Sequence, residues 1–263
     1  MNGKRMTDIL SKIVEVKKEE VRASKARLPL RDLEQMPGPE PRDFRDQLVK
    51  PGLSVIAEVK HKSPSAGVIQ PDFDPVRIAR DYSAGGADAI SVLTDSNFFG
   101  GHLDFLKRIR QCVDLPLLRK DFIIDPYQIV EARQAGADAV LLIMRILSVN
   151  QCRDLLILIH ESGMEALVEV HSAEEMEMAL GAGVRILGIN NRNLATLDVD
   201  LNTSIELRGL IQDPVVTVSE SGIQSREESE LLEGIGFDAV LVGETLMRSK
   251  RPAGKIHELK GTV

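Results

Sequence analysis

Cysteine is scarce: Cys112 and Cys152 are the only two in 263 residues. Two thiols make no disulfide framework, so the expectation is a reducing, cytoplasmic setting, with both cysteines on helices. No run of about 18 uninterrupted apolar residues is present to span a membrane. The opening stretch, Met1 to Asp8, also lacks the apolar segment of a secretory signal. Basic charge is not in excess: 33 Lys and Arg against 40 Asp and Glu give a formal net charge of -7. Nonspecific nucleic-acid binding depends on a surplus of basic groups to neutralise phosphates, so nucleic acid and membrane are both set aside as partners. No zinc-ligand spacing occurs, and no metal is expected. The 43% apolar content is that of an ordinary globule.

What is present is a repeat. Four capping residues each precede a glycine at one fixed spacing: Asp74 and Gly85, Asp125 and Gly136, Ser172 and Gly183, Ser225 and Gly236. Asp74-Pro75 and Asp125-Pro126 read as N-cap plus first-turn proline; Ser172 with Glu175 and Ser225 with Glu228 read as capping boxes. Each glycine ends a helix and introduces an apolar strand: Ala89 to Leu93, Ala139 to Ile143, Val184 to Ile189 and Ala239 to Val242. Four more strands are expected between these units, over Ser54 to Glu58, Leu115 to Arg119, Glu165 to Glu169 and Val215 to Ser219.

Strands alternating with helices imply a parallel sheet, and near-continuous apolar strands imply one buried on both faces. Recurrence at roughly fifty residues favours closure into a (β/α)8 TIM barrel, and 263 residues is close to the ~250 typical of that fold. An open doubly wound sheet is the alternative. Residues 1–50 lie outside the repeat and are expected to form a helical extension packed on the barrel of residues 51–263. Thr7 is its expected first cap, with Ile9, Ile13, Val14 and Val21 on one helix side. This extension either plugs one barrel end or covers the other, where sites of this fold lie. The length leaves no room for a second fused barrel, so a single activity is expected.

In such a barrel chemistry sits at the C-terminal strand ends. Here those ends are polar. Glu58 and Lys60 alternate onto one face of the first strand. Lys120 ends the third strand and Glu169 the fifth, while Asn190 and Arg192 follow the sixth. A single charged residue at a strand end is usually only a solvated rim. Six together converge on the barrel axis, where shared burial mixes their pKa values and suits acid-base chemistry on an anionic substrate. Ser221-Gly222 after the seventh strand and Gly243-Glu244 after the eighth occupy the loops that hold phosphate in this fold, and glycine lets backbone N–H groups approach the oxygens. Tight turns alone would account for the same glycines; the phosphate reading is preferred. Ser225 is read as a structural cap.

These residues form recognisable motifs. Ile56 to Ser65 (IAEVKHKSPS), Leu118 to Phe122 (LRKDF), Leu167 to Val170 (LVEV), Gly188 to Leu194 (GINNRNL) and Ser219 to Ile223 (SESGI) resemble indole-3-glycerol phosphate synthase of tryptophan biosynthesis. Thr94-Asp95, the Phe98-Phe99-Gly100-Gly101 loop and the N-terminal extension fit too, so the resemblance spans nearly the whole chain. It implies a carboxy-lyase that closes the indole ring of 1-(2-carboxyphenylamino)-1-deoxyribulose 5-phosphate with loss of carbon dioxide and water. No cofactor is implied, and at most a weak association with other enzymes of tryptophan synthesis.

By resemblance, Lys120 is the general acid, made effective by a pKa lowered in a cationic rim. Glu58 and Lys60 are a positioning and proton-transfer pair, Glu169 the acid-base carboxylate of the dehydration, and Asn190 an orienting group. Arg192 suits the anthranilate carboxylate, and Pro64, Phe99 and Phe122 form the aromatic walls; ordinary core packing stands as the alternative for the phenylalanines. Ser63, Gly222, Gly243 and Glu244 match the phosphate region, Glu244 through its backbone N–H, with Ser221 assisting. His102 departs from the family, where a small residue is expected, and is given no role. Three other functions stand beside this one. A phosphoribosylanthranilate isomerase-like enzyme would need a Cys and Asp pair at the rim. A Schiff-base lyase would use Lys60 or Lys120. A noncatalytic phosphosugar-binding barrel would keep only the grip.

Overall fold

The computed structural model describes residues 8–194 and 196–262, so Thr7 lies outside the described residues. The barrel strands are β1 (Ser54–Val59), β2 (Ala89–Leu93), β3 (Leu117–Lys120), β4 (Ala139–Ile143), β5 (Glu165–Val170), β6 (Ile186–Asn190), β7 (Val216–Glu220) and β8 (Ala239–Val242). They close into a parallel barrel in the order β1-β8-β7-β6-β5-β4-β3-β2, with β1 paired to both β8 and β2, which removes the open-sheet alternative. The helices before β1 are α1 (Asp8–Arg27), α2 (Leu30–Glu34) and α3 (Phe44–Leu48). Those after it are α4 (Pro75–Ala84), α5 (Ser96–Phe99), α6 (Leu103–Arg110), α7 (Pro126–Ala135), α8 (Val149–Glu161), α9 (Ala173–Ala182), α10 (Asn202–Arg208), α11 (Arg226–Gly234), α12 (Glu244–Arg248) and α13 (Pro252–Lys260).

Local chemistry explains the repeat, with instructive departures. Asp74 and Asp125 accept backbone N–H groups in the first turns of α4 and α7, each followed by proline. Ser225 and Glu228 form the full reciprocal box on α11. On α9 only half the expected box forms: Ser172 accepts from the Glu175 N–H, but the Glu175 carboxylate turns to the His171 N–H and to Arg145. Gly136 and Gly183 cap their helices in the left-handed region, whereas in the first unit that role passes from Gly85 to Gly86. Gly85 serves a different need, since a Cβ there would stand 2.6 Å from the Ala253 Cα of α13. Cys112 is not helical but lies in the turn after α6, while Cys152 is buried on α8. β3 and β7 start later than expected. Pro116 precedes β3 without an N–H to give, and the Val215 N–H is drawn back to the Asp213 carbonyl, leaving it in the turn.

The recurring Gly-x-Asp-Ala segments have a structural cause at the N-terminal ends of the strands. Asp88 Oδ2 accepts the Val55 N–H at 2.8 Å, Asp138 Oδ2 the Leu117 N–H at 2.7 Å, and Asp238 Oδ2 the Thr217 N–H at 2.7 Å. Each carboxylate at the start of an even strand thus satisfies the first free donor of the odd strand before it. The third unit has Arg185 instead, which pairs with Glu165 across β5 at 3.3 Å.

Two apolar layers result from strand alternation. One lies between sheet and helices; the other fills the barrel with Ile56, Leu118, Leu141, Leu167, Val218 and Leu241. The N-terminal extension meets both ends of the barrel. Phe44 and Leu48 of α3, fully buried, join the interior layer next to the start of β1. From α1, Lys17 reaches into the loops after β2 and β3, bridging Asp95 at 3.1 Å and Asp121 at 2.9 Å. α3 thus lies at the N-terminal end of the barrel and α1 reaches the C-terminal end.

Candidate active site

The C-terminal mouth of the barrel opens into a cavity of about 840 Å³, lined by Glu58, Lys60, Lys120, Glu169, Asn190, Arg192, Ser221, Gly222, Gly243 and Glu244. A smaller cavity of about 100 Å³ adjoins it beneath α1, lined by Ser63 and Pro64 with Ile9, Leu10 and Ile13. Lys60, Phe99, Phe122 and Arg192 face both. The Phe99 and Phe122 rings are tilted at 38° with centroids 6.0 Å apart. They form a wall at the junction, and Phe122 at the same time packs on the interior core.

Strand alternation puts Leu118 and Lys120 inward and sends Arg119 outward, where it pairs with Asp121 at 3.1 Å and Glu131 at 2.9 Å. On β1, Lys60 Nζ lies 2.6 Å from Glu58 Oε1, as expected from their shared face. Lys120 Nζ donates to Glu169 Oε2 at 3.1 Å and to Glu220 Oε2 at 2.6 Å. Glu220 was not among the expected site residues. Val216 and Val218 point into the interior layer, and the same alternation brings Glu220, fully buried, to the floor of the cavity. Ending the seventh strand at Ser219 concealed it; the period-two pattern Val216, Val218, Glu220 was the signal.

The electrostatics correct one expectation. Burial by itself would lower the Lys120 ammonium, but Glu220, Glu169 and Glu58 together raise it well above the ordinary lysine value. The rim around Lys120 is anionic, not cationic. Burial opposes ionisation of Glu169, yet Lys120, His171 and Asn190 hold it well below the usual carboxylate range. Glu58 is likewise lowered against its burial, first by Lys60 and then by Lys120. Glu220 is shifted the other way: burial and the negative charge of Glu169 outweigh Lys120 and push it up to about 7.

In the loop after β7, Ser221 and Gly222 both adopt positive φ, 69° and 88°. A Cβ on Gly222 would meet Val199 Cγ1 at 2.5 Å, and one on Gly243 would meet Glu58 Oε1. Gly243 is thus required by the Glu58-Lys60 pair. The Glu244 carboxylate accepts from Arg248 Nε at 2.9 Å, and both residues line the cavity. Arg248 and Lys255 also line this end and supply basic charge that the motifs did not flag. The structure does not bring Ser63 to these loops: its hydroxyl accepts the Ala66 N–H at 3.1 Å beside the smaller cavity. Asn190 Oδ1 accepts the Arg192 N–H at 2.9 Å, and Arg192 Nη1 donates to the Leu197 carbonyl at 2.9 Å. His102 does have a role, since its Nδ1 caps α6 by accepting the Asp104 N–H.

The alternatives fit less well. Neither cysteine lines the cavity, and Cys152 lies in the layer outside the barrel. Lys120, ion-paired and held protonated, is a poor amine nucleophile.

Among solved structures, 3-hexulose-6-phosphate synthase from Salmonella typhimurium superposes with a TM-score of 0.65 over 80% of this chain and 98% of its own, at 15% identity. Thiamine phosphate pyrophosphorylase from Pyrococcus furiosus gives 0.61 over 84% and 97%, at 18% identity. At such identity these establish the barrel alone. Sequence relatives say more. A protein of Dehalococcoides mccartyi named indole-3-glycerol phosphate synthase is 49% identical over 95% of this chain and 99% of its own, and one of the same name from Acetivibrio thermocellus is 47% identical over 96% and 99%. The family model for indole-3-glycerol phosphate synthase matches residues 10–259, so this chain, with its lysine and carboxylate cluster at the barrel mouth, belongs to the indole-3-glycerol phosphate synthase family.

Proposed function

We propose that the cluster around Lys120 closes the pyrrole ring of 1-(2-carboxyphenylamino)-1-deoxyribulose 5-phosphate, yielding indole-3-glycerol phosphate, carbon dioxide and water. The observation that carries this assignment is the position of Lys120 Nζ, within hydrogen-bond reach of Glu220 and Glu169 at the floor of a cavity with aromatic walls on one side and glycine loops on the other. Phe99 and Phe122 hold the anthranilate ring, with Pro64 and Ser63 beside it and Arg192 against its carboxylate. The backbone at Ser221, Gly222, Gly243 and Glu244 receives the phosphate, helped by the charge of Arg248 and Lys255. A substrate held at both ends is folded so that its reacting carbons meet over Lys120.

The ring carbon bearing the carboxylate attacks the ketone carbon while Lys120 gives its proton to the carbonyl oxygen. The carboxylate then leaves as carbon dioxide, and its electron pair restores the aromatic ring. Dehydration follows: Glu169 removes a proton from the carbon beside nitrogen, and Lys60 or Lys120 protonates the departing hydroxyl. Glu58 holds Lys60 in place, and Asn190 orients the intermediate. Glu220, with its pKa near 7, holds the spare proton of the cluster and returns it to Lys120 between the two steps. Within the N-terminal extension, α1 works with the barrel of residues 51–263 as a cover over this site. We place the protein in the cytoplasm with a small phosphorylated substrate, and any contact with other enzymes of the pathway is weak.

The test is turnover without added metal or cofactor. The chain has no tryptophan and two tyrosines, so indole fluorescence is read against a low background. A rise with the purified protein is expected. Binding of a phosphate ligand with no rise would overturn the assignment in favour of a binding barrel.

A further inference from the structure

The catalytic assignment leaves a buried ionisable group beside Glu169 unused. His171 follows β5 directly, two residues beyond Glu169 and on the same side, with a side chain only 3% exposed. Its Nε2 lies 3.2 Å from Glu169 Oε1, and its Nδ1 lies 3.2 Å from Glu175 Oε2. The Glu175 carboxylate also accepts the His171 backbone N–H at 2.8 Å, and its other oxygen accepts Arg145 Nε at 2.7 Å. A chain of alternating charge therefore runs from the cavity outward: Lys120 on β3, Glu169 on β5, His171, Glu175 on α9, and Arg145 in the turn after β4. Glu220 on β7 meets this chain through Lys120.

The donor count decides the charge of the ring. A neutral imidazole carries one N–H and would leave one carboxylate facing a lone pair; an imidazolium sets positive charge against both, as an ion pair to Glu169 and a hydrogen bond to Glu175. This arrangement outweighs burial and raises His171 to about 9. The capping box missing from α9 has the same origin, because Glu175 gives up its place at the helix N-terminus to hold His171. Glu169 is then gripped from both sides, by Lys120 on Oε2 and by His171 on Oε1.

We infer that His171 is a positioning residue for the dehydration step: as an imidazolium braced by Glu175 and Arg145, it fixes the orientation of Glu169 and keeps it ionised as a base. The inference rests on the acid-base role of Glu169 proposed above. Removing the imidazolium takes a positive charge from beside Glu169, so the Glu169 pKa must rise, by about one unit for the loss of one close opposite charge.

The test compares His171→Gln, which keeps an uncharged donor, with His171→Phe, which keeps only the ring shape, and with Glu175→Gln, which leaves His171 unbraced. The expectation is a fall in kcat of about tenfold in the phenylalanine variant, with KM changed less than about twofold. The acid limb of the kcat profile should move to higher pH in all three, least in Glu175→Gln. Partial recovery of kcat in His171→Gln over His171→Phe is also expected. A drop in kcat with the acid limb unmoved would reduce His171 to a packing role, and unchanged kcat would overturn the inference outright. Should the phenylalanine variant not fold, the two glutamine variants carry the comparison. Carboxyl NMR titration of Glu169, with and without His171→Gln, separates the two proposals. A shift in a protein without turnover would sink the proposed reaction and spare the positioning, while no shift would sink the positioning whatever the turnover.

Discussion

The two ends of this barrel both carry buried carboxylates and use them in opposite ways. At the N-terminal end Asp88, Asp138 and Asp238 each receive a backbone N–H of the neighbouring strand, and Asp88 and Asp138 also meet Lys260 and Arg110. Each is matched locally, one acid to its own donors, and the result is strand registry. At the C-terminal end Glu58, Glu169 and Glu220 share Lys60 and Lys120, with His171 also set against Glu169. Their protons are held in common, and the cluster stays poised to move one. A buried carboxylate stabilises where its partners are complete, and serves chemistry where they are shared.

The largest effect expected from breaking this contrast is at the upper end. Lys120→Ala should lower kcat by about a hundredfold or more while phosphate-ligand affinity changes only a few-fold, because proton transfer is lost and the glycine loops remain. Equal kcat in variant and parent would remove Lys120 from the chemistry. At the lower end the currency is stability. Asp138→Ala leaves the Leu117 N–H, the Arg42 N–H and the Arg110 guanidinium without their acceptor. A loss of about 3 kcal/mol in denaturant unfolding is expected, with kcat per folded molecule unchanged. An activity loss without destabilisation would erase the distinction between the ends.

A smaller effect sharpens it by pH. Glu220 is raised from 4.5 to about 7 in the folded protein. Between those values the folded state holds a proton that the unfolded state has released, so stability falls as pH rises through this window. Glu58 and Glu169 are shifted the other way, and their stabilisation is lost as pH drops below the ordinary carboxylate range. Glu220→Gln should therefore flatten the decline in Tm between pH 5 and 8 by a few degrees, with the acid side unaffected. An identical slope would place the shared proton elsewhere. The smallest effect is expected of Glu244→Gln, whose carboxylate is already paired with Arg248. A change in kcat/KM of less than about twofold is predicted, and a tenfold loss would show that the carboxylate itself contacts the ligand.

Much of the site was legible because strand alternation is a local rule. Glu58 and Lys60 share a face for that reason, and Lys120, Glu169 and Asn190 sit at strand ends marked by apolar runs. Glu220 was missed through one residue of strand register at β7, where the Val215 N–H bonds back to Asp213. The sign of the Lys120 shift was unreadable for a deeper reason. Its strongest partner lies 100 residues away in the chain, and counting charges in a sequence does not say which of them meet.

The sequence by itself determined the alternation of elements. Caps such as Asp125, left-handed glycines such as Gly136 and apolar runs such as Ala139–Ile143 act within a few residues, so their information is local. Closure of the sheet, the placement of α1 and α3 at opposite barrel ends, and the distribution of protons among Glu58, Glu169, Glu220, Lys60, Lys120 and His171 were decided by the tertiary structure. Coulomb energy and desolvation depend on separation and burial in space, which only the folded barrel fixes.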